Sequence, residues 1–284
     1  MHELPVAIGV AFGAVNPYFH AELATLGDEL GFESVWLPEH LVFTTTMQRS
    51  PYAGQAHPPV PPETPVFDAF AYLAFLAGRT QRIRLATHVY NIGLRHPFVA
   101  ARAVQTLDIV SGGRAIFGVG ASWLEQEWDA AELDFATRAG RVDECIEVCK
   151  RLWTEPVVTH HGEHFTFDGV VFEPKPVQQP HPPVLVGGES PAAIRRAARL
   201  GDGWVGMGHS FESAARHVDA LRAARARDGR NLEGFDVTVG GAITTRDDLD
   251  RWRDVGVTRV IVSPWSRGRE AASGLRRLAD LVSA

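Results

Sequence analysis

Residues 83–120 read IRLATHVYNIGLRHPFVAARAVQTLDIVSGGRAIFGVG, and the fold follows from how that stretch divides. Residues 83–90 form an apolar, β-branched run of strand length. Residues 97–110 then carry Pro at their start and apolar side chains at i, i+3, i+4 spacing, which predicts a helix. Ser111-Gly112-Gly113 supplies the left-handed cap that ends it, and residues 115–119 return to a strand. A strand that comes back after a helical crossover pairs in parallel with the first. The same unit recurs along the chain. Strands are expected at 5–12, 34–37, 83–90, 115–119, 184–186, 203–206, 236–239 and 257–262. Helices are expected near 19–30, 66–78, 97–110, 138–153, 191–200, 211–228, 246–254 and 268–282. Eight strands alternating with eight helices in 284 residues predict a (β/α)8 barrel. A doubly wound open sheet would want a GxGxxG turn after the first strand, and Gly9-Val10-Ala11-Phe12-Gly13 lacks one.

Composition bounds the function. With 45% hydrophobic and 22% charged residues the chain is an ordinary folded one. A net charge of −6 argues against a polyanionic partner, so nucleic acid is not expected. No apolar run approaches the roughly 18 residues of a membrane span, and the N-terminal MHELPVAIGVAFG lacks the basic start of a signal peptide, so a cytoplasmic protein is expected. Cys145 and Cys149, four apart on a helix, read as reduced small hydrophobes rather than a disulfide pair.

Two segments interrupt the rhythm of this one barrel. Residues 44–65, TTTMQRSPYAGQAHPPVPPETP, are too long and too Pro-rich for an ordinary βα loop; they either cover a substrate or run over the surface. Residues 156–176 alternate polar and apolar positions around Gly162 and Asp168-Gly169, as a hairpin does. Their histidines, His160, His161 and His164, divide between two faces, and no metal site is expected.

Polar residues at strand C-termini face a barrel's active site, which singles out three places. Strand two ends in Glu39-His40, a carboxylate beside an imidazole that titrates near neutrality, suited to moving a proton. The bland alternative is a histidine bonded to backbone. Strand three ends in Thr87-His88-Val89-Tyr90-Asn91, and strand four in Gly120-Ala121-Ser122-Trp123, where bare backbone lets a flat molecule lie close. After strand five, Gly187-Gly188-Glu189-Ser190 leads into a helix N-terminus, which favours an anion, and the loop Met207-Gly208-His209-Ser210 after strand six adds donors nearby.

Four runs carry a resemblance: ATLGDELGFESVWLPEH (24–40), RHPFVAARAVQTLDIVSGGRAIFGVGASW (95–123), RVDECIEVCKRLW (141–153) and PKPVQQPHPPVLVGGESPAAIRRAARLGDGW (174–204). Together they resemble the luciferase-like flavin and deazaflavin oxidoreductases over nearly the whole chain. The resemblance implies a (β/α)8 barrel, a homodimer, and a cofactor ring at the strand C-termini. It places His40 beside the ring with Glu39 next to it, a non-prolyl cis peptide at His88-Val89, ring contacts at Gly120, Ala121 and Ser122, a turn beside ring and phosphate at Gly187 and Gly188, and a phosphate loop at Gly208, His209 and Ser210. The short chain and the wording LGDGW and SGGR are similar to the branch that uses coenzyme F420, which implies hydride transfer to or from a small organic substrate. The alternatives are an FMN-dependent monooxygenase using reduced flavin and oxygen, and a non-catalytic flavin- or deazaflavin-binding protein. One departure matters. F420-dependent sugar-phosphate dehydrogenases carry Trp where this chain has Thr44 and Glu where it has Trp123. That argues against sugar-phosphate oxidation and for a less polar pocket, unless Trp123 only packs the rim.

Overall fold

Eight parallel strands close on themselves: β1 (Ala7–Ala11), β2 (Ser34–Leu37), β3 (Arg84–Thr87), β4 (Ala115–Gly120), β5 (Val184–Gly187), β6 (Gly203–Gly208), β7 (Asp236–Gly240) and β8 (Arg259–Val262). Each pairs with its sequence neighbour, β4 pairs with β3, and β1 pairs with β8 to complete the ring. The computed structural model describes residues 4–13, 15–48, 50 and 60–283. All eight strands and the eight helices stand where periodicity puts them. The helices are α1 (His20–Leu30), α2 (Ala69–Ala77), α3 (Pro97–Ser111), α5 (Arg138–Thr154), α6 (Pro191–Leu200), α7 (Phe211–Ala226), α8 (Asp247–Asp254) and α9 (Ala271–Ser283). A further short helix, α4 (Glu125–Ala130), follows β4. Six residues are too few to show a helical period, and the sequence reading passes over it.

The barrel is filled. Trp36, Ala86, Ile116, Leu185, Val205 and Ile261 pack together inside it, with Ala11 and Val89 against them. Gly9 answers Trp36 in size: a Cβ there would come within 2.5 Å of the indole Nε1. A second, larger cluster lies between strands and helices and takes in Leu73, Leu85, Val104, Val186 and Val218. Burying each such side chain contributes roughly 1.5–3 kcal/mol.

Local chemistry ends the helices as expected. Gly112 adopts φ 68° after α3, and Ser190 Oγ accepts the Ala193 N–H at 3.2 Å, with Pro191 opening α6. At the start of α8 a carboxylate of the first turn reaches back to the chain before it. Asp248 Oδ2 accepts Thr244 N–H, Thr244 Oγ1–H and Thr245 N–H at 2.8, 2.8 and 3.0 Å. Burial alone raises the Asp248 carboxyl, but those hydrogen bonds and the Arg251 charge outweigh it and hold it at about 2 against an ordinary 3.8. The unfolded chain therefore takes up this proton first as pH falls. The stabilisation is complete above pH 4 and is lost on the way down to about 2. Asp248→Asn is expected to cost about 2 kcal/mol at pH 7 and to flatten the stability profile between pH 4 and 2, read by urea denaturation.

The insertions divide differently. Val158–His161 and Thr166–Val170 form the expected antiparallel hairpin. It turns at Gly162, while Gly169 lies inside its second strand. Glu144 of α5 holds it, accepting from His164 N–H and Phe165 N–H at 2.9 Å each and lying 2.9 Å from His160 Nε2. His161 pairs instead with Asp168 at 2.7 Å. Of residues 44–65, residues 49 and 51–59 lie outside the described residues, and Gln48 N–H reaches Gln126 Oε1 of α4 at 3.4 Å. Cys145 and Cys149 are buried and unbridged in α5, and burial pushes the Cys145 thiol up to about 12. Among the described residues no helix is long and apolar enough to cross a membrane.

Candidate functional site

The chain leaves β2 through Glu39 and His40, and the two side chains part company. Glu39 is buried; its Oε1 meets Arg95 at 2.6 Å and its Oε2 accepts the Asn91 N–H at 2.8 Å. Burial raises its carboxyl, against the opposing charge and hydrogen bond of Arg95. Glu39 therefore ties the end of β2 to the segment after β3.

His40 meets a residue that the sequence reading does not single out. Its Nδ1 lies 3.0 Å from Oε2 of Glu127, on α4, whose side chain is 0% exposed against 14% for His40. Glu127 Oε1 also accepts the Leu41 N–H at 2.5 Å and the Val42 N–H at 3.4 Å, and Ser122 Oγ–H donates to Oε2 at 3.5 Å. One buried carboxylate thus fixes the imidazole and the backbone after it. Ser122 holds a left-handed φ of 60°, and its Oγ accepts the Leu124 N–H at 3.3 Å, turning the chain from β4 into α4. Trp123 stands edge-on to His40 at 5.7 Å and Phe43 tilts over it at 4.7 Å. The structure therefore gathers His40, Ser122 and Trp123 around Glu127. The signal in the sequence was slight: Leu124 and Trp128, at i, i+4, bracket a single acidic turn. Thr44 Oγ1 is buried without a hydrogen-bond partner.

At the end of β3 the His88–Val89 peptide is cis. Val89 turns its methyl groups onto the next two strands. A Cβ on Gly120 would lie 2.5 Å from Val89 Cγ2, and one on Gly187 2.9 Å from Cγ1. Those glycines make room for Val89 itself. The His88 imidazole packs edge-on to Trp36 at 5.9 Å, its Nε2 is buried with no hydrogen-bond partner, and burial lowers it to about 4. It opens onto a cavity of about 470 Å³ walled by Ala11, by residues 207–209 and 240–242, and by Ile261 and Ser263, at the ends of β1, β6, β7 and β8.

After β5, Gly188 takes φ 113° and Ser190 caps α6. Ser210 caps α7 in a box with Ser213, whose Oγ lies 3.1 Å from His209 Nδ1. Glu189 fills the space between. Its Oε1 accepts the Met207 N–H at 3.0 Å and lies 3.0 Å from His209 Nε2, which lowers its carboxyl. Of the donors here, the Met207 N–H is taken by a carboxylate of the chain, while His209 Nε2, though close to it, is buried without a hydrogen-bond partner. Gly208 stays open, with nothing within 4 Å of a Cβ built on it.

The chain matches the luciferase-like monooxygenase family over residues 9–280 and belongs to it. A Mycobacterium tuberculosis protein provisionally named a coenzyme F420-dependent oxidoreductase is 29% identical over 84% of this chain and 65% of its own length. The FMNH2-dependent dimethylsulfone monooxygenase of Pseudomonas putida is 32% identical over 63% of this chain and 49% of its own. The coenzyme F420 dependent tetrahydromethanopterin reductase of Methanopyrus kandleri superposes with a TM-score of 0.78 at 16% identity, covering 98% of both chains. That likeness fixes the fold; the family's enzymes divide between two cofactors.

Proposed function

We propose that this luciferase-like enzyme is an F420-dependent oxidoreductase that moves a hydride between the deazaflavin and a small organic substrate, with His40 moving the accompanying proton. The observation that carries the reading is the His40–Glu127 pair. A buried carboxylate at Nδ1 keeps the ring proton on that nitrogen and leaves Nε2 to give or take a proton. Phe43 and Trp123 limit the water that reaches the imidazole. Glu39, committed to Arg95 and Asn91, acts by holding the end of β2 in place.

A ring cofactor fits the cavity at the ends of β1, β6, β7 and β8, onto which His88 opens. The cavity falls within the roughly 300–1,000 Å³ usual for ligand sites, and His88 Nε2 waits there without a partner. His88, Val89, Gly120, Ala121 and Ser122 are the residues that would hold the ring, and Gly187, Gly188, Gly208, His209 and Ser210 its phosphate-bearing arm, with Thr44 and Trp123 toward the substrate. When bound, a deazaflavin supplies a carbon that carries hydride and reacts poorly with oxygen. The choice of F420 is supported by the extent of alignment: the relative named for F420 aligns with 84% of this chain and the FMNH2-dependent one with 63%.

The second reading, an FMN monooxygenase, is favoured by the 32% identity to the dimethylsulfone enzyme. Titrating the protein with F420 and with FMN, read by ring absorbance, separates them. F420 is expected to bind at least tenfold more tightly. Tight FMN binding without F420 binding, joined by oxygen uptake with reduced FMN, sinks the proposal in favour of the second reading.

A further inference from the structure

Glu189 stands just ahead of Ser190, the cap of α6, and its side chain, 31% exposed, reaches the segment that leaves β6. There its Oε1 accepts the Met207 N–H at 3.0 Å. His209 Nε2 lies 3.0 Å from the same oxygen, yet its side chain is 2% exposed and the nitrogen makes no hydrogen bond. A buried nitrogen left unpaired beside a carboxylate marks an anion seat that the carboxylate fills only in part. Ser190 and Ser210, the next residues along the two segments, open α6 and α7, whose N-termini also favour negative charge. The adjoining cavity walls carry no lysine or arginine. The field that could hold an anion is therefore modest, and the chain already spends part of it on Glu189. His209, the Met207 N–H and the more distant His217 hold that carboxyl below the usual range, so it is ionised at neutral pH.

We propose that Glu189 selects among cofactor arms: its carboxylate takes part of the phosphate seat, refuses a phosphate monoester and admits a phosphodiester beside it. A monoester carries about 1.5–2 negative charges at pH 7, whereas a diester carries one. Each is brought against the charge of Glu189 in a seat with no fixed cation, and the repulsion grows with the charge that arrives. FMN ends in a monoester, and F420 carries its phosphate as a diester. Glu189 is thus a specificity-determining residue that meets the arm and no reacting atom. The inference rests on the arm lying here, as proposed above, and deepens that reading by naming what discriminates against the second cofactor.

The test uses the whole chain and two flavins that differ only in the phosphate, FMN and riboflavin, with binding followed by ring fluorescence. The parent is expected to bind FMN no more tightly than riboflavin. Glu189→Gln keeps an acceptor for the Met207 N–H and is expected to melt within about 2 °C of the parent. It should bind FMN about tenfold more tightly and riboflavin as before, while F420 gains less than about threefold. Glu189→Asp keeps the charge and should bind FMN as the parent does. The inference is overturned by FMN that gains nothing from Glu189→Gln, by an equal gain for riboflavin or in Glu189→Asp, or by a parent that already binds FMN about tenfold more tightly than riboflavin. The cofactor reading fails separately. If F420 does not bind but FMN still gains on Glu189→Gln, that reading falls and this one stands; if F420 binds and FMN is indifferent to Glu189→Gln, the reverse holds.

Discussion

Glu127→Gln is expected to lower kcat by roughly 10²- to 10⁴-fold in the cofactor-loaded enzyme, with cofactor affinity within about threefold of the parent. The amide keeps an acceptor for the Leu41 N–H, now 2.5 Å from Oε1. It then presents its NH2 group to His40 Nδ1, which must become an acceptor, so the ring proton moves to Nε2 and the nitrogen meant for proton transfer carries the wrong state. His40→Ala should cost a similar factor, since general acid–base groups supply about 10²–10⁴. Because the two residues act as a unit, the double variant should be little worse than either alone. Single-turnover kinetics under saturating cofactor check this. Additive losses would mean that Glu127 acts elsewhere, and an unchanged kcat in His40→Ala would remove His40 from the mechanism. Glu127→Ala is the poorer test. It removes the acceptor that the Leu41 and Val42 N–H groups share, so lost activity would not separate the His40 proton from a displaced backbone.

The second large effect is expected at the opposite end of the barrel. Arg259 opens β8 with its side chain 5% exposed. It meets Glu33 through Nε and one terminal nitrogen at 2.8 and 2.9 Å, and Asp236 and Thr238 through the other at 3.0 and 2.9 Å. Burial works against its charge, but the hydrogen bonds and charges of Glu33 and Asp236 raise its pKa above the usual arginine value. Arg259→Met leaves Asp236, 23% exposed, without its ion-pair partner and Glu33, 28% exposed, with Arg84 alone at 3.8 Å. Their partial access to water discounts the penalty of a fully buried broken pair to about 2–4 kcal/mol. Urea denaturation should show that loss with kcat and cofactor affinity retained at 25 °C, because the N-terminal face of such a barrel supports the fold and the C-terminal face the chemistry. A loss under 1 kcal/mol would show that water already screens these charges.

These two sites divide what was legible beforehand. His40 was readable because it sits beside Glu39 where a buried apolar run stops, and strand ends are local events. Its partner was not: Glu127 lies 87 positions away on a helix of six residues. Arg95 is 56 positions from Glu39, and Arg259 is 226 from Glu33. The glycines are legible only in part. Gly120 and Gly187 announce that something lies close to the backbone, but only the packed barrel identifies it as Val89. Glu189 sits in a stretch that reads as an anion site, and the fold turns its own carboxylate onto the Met207 N–H there and toward His209.

The sequence by itself determined the eightfold alternation, the ends of most helices and the face of the barrel on which chemistry belongs. Each of these depends on residues within a few positions of one another, through burial period, capping and turn geometry. Which carboxylate orients His40, which imidazole nitrogens are left without a partner at the cavity, and which ion pairs close the base were decided only by tertiary structure. Closing the ring brings strands from distant parts of the chain side by side, and the partners that meet across it share no sequence pattern.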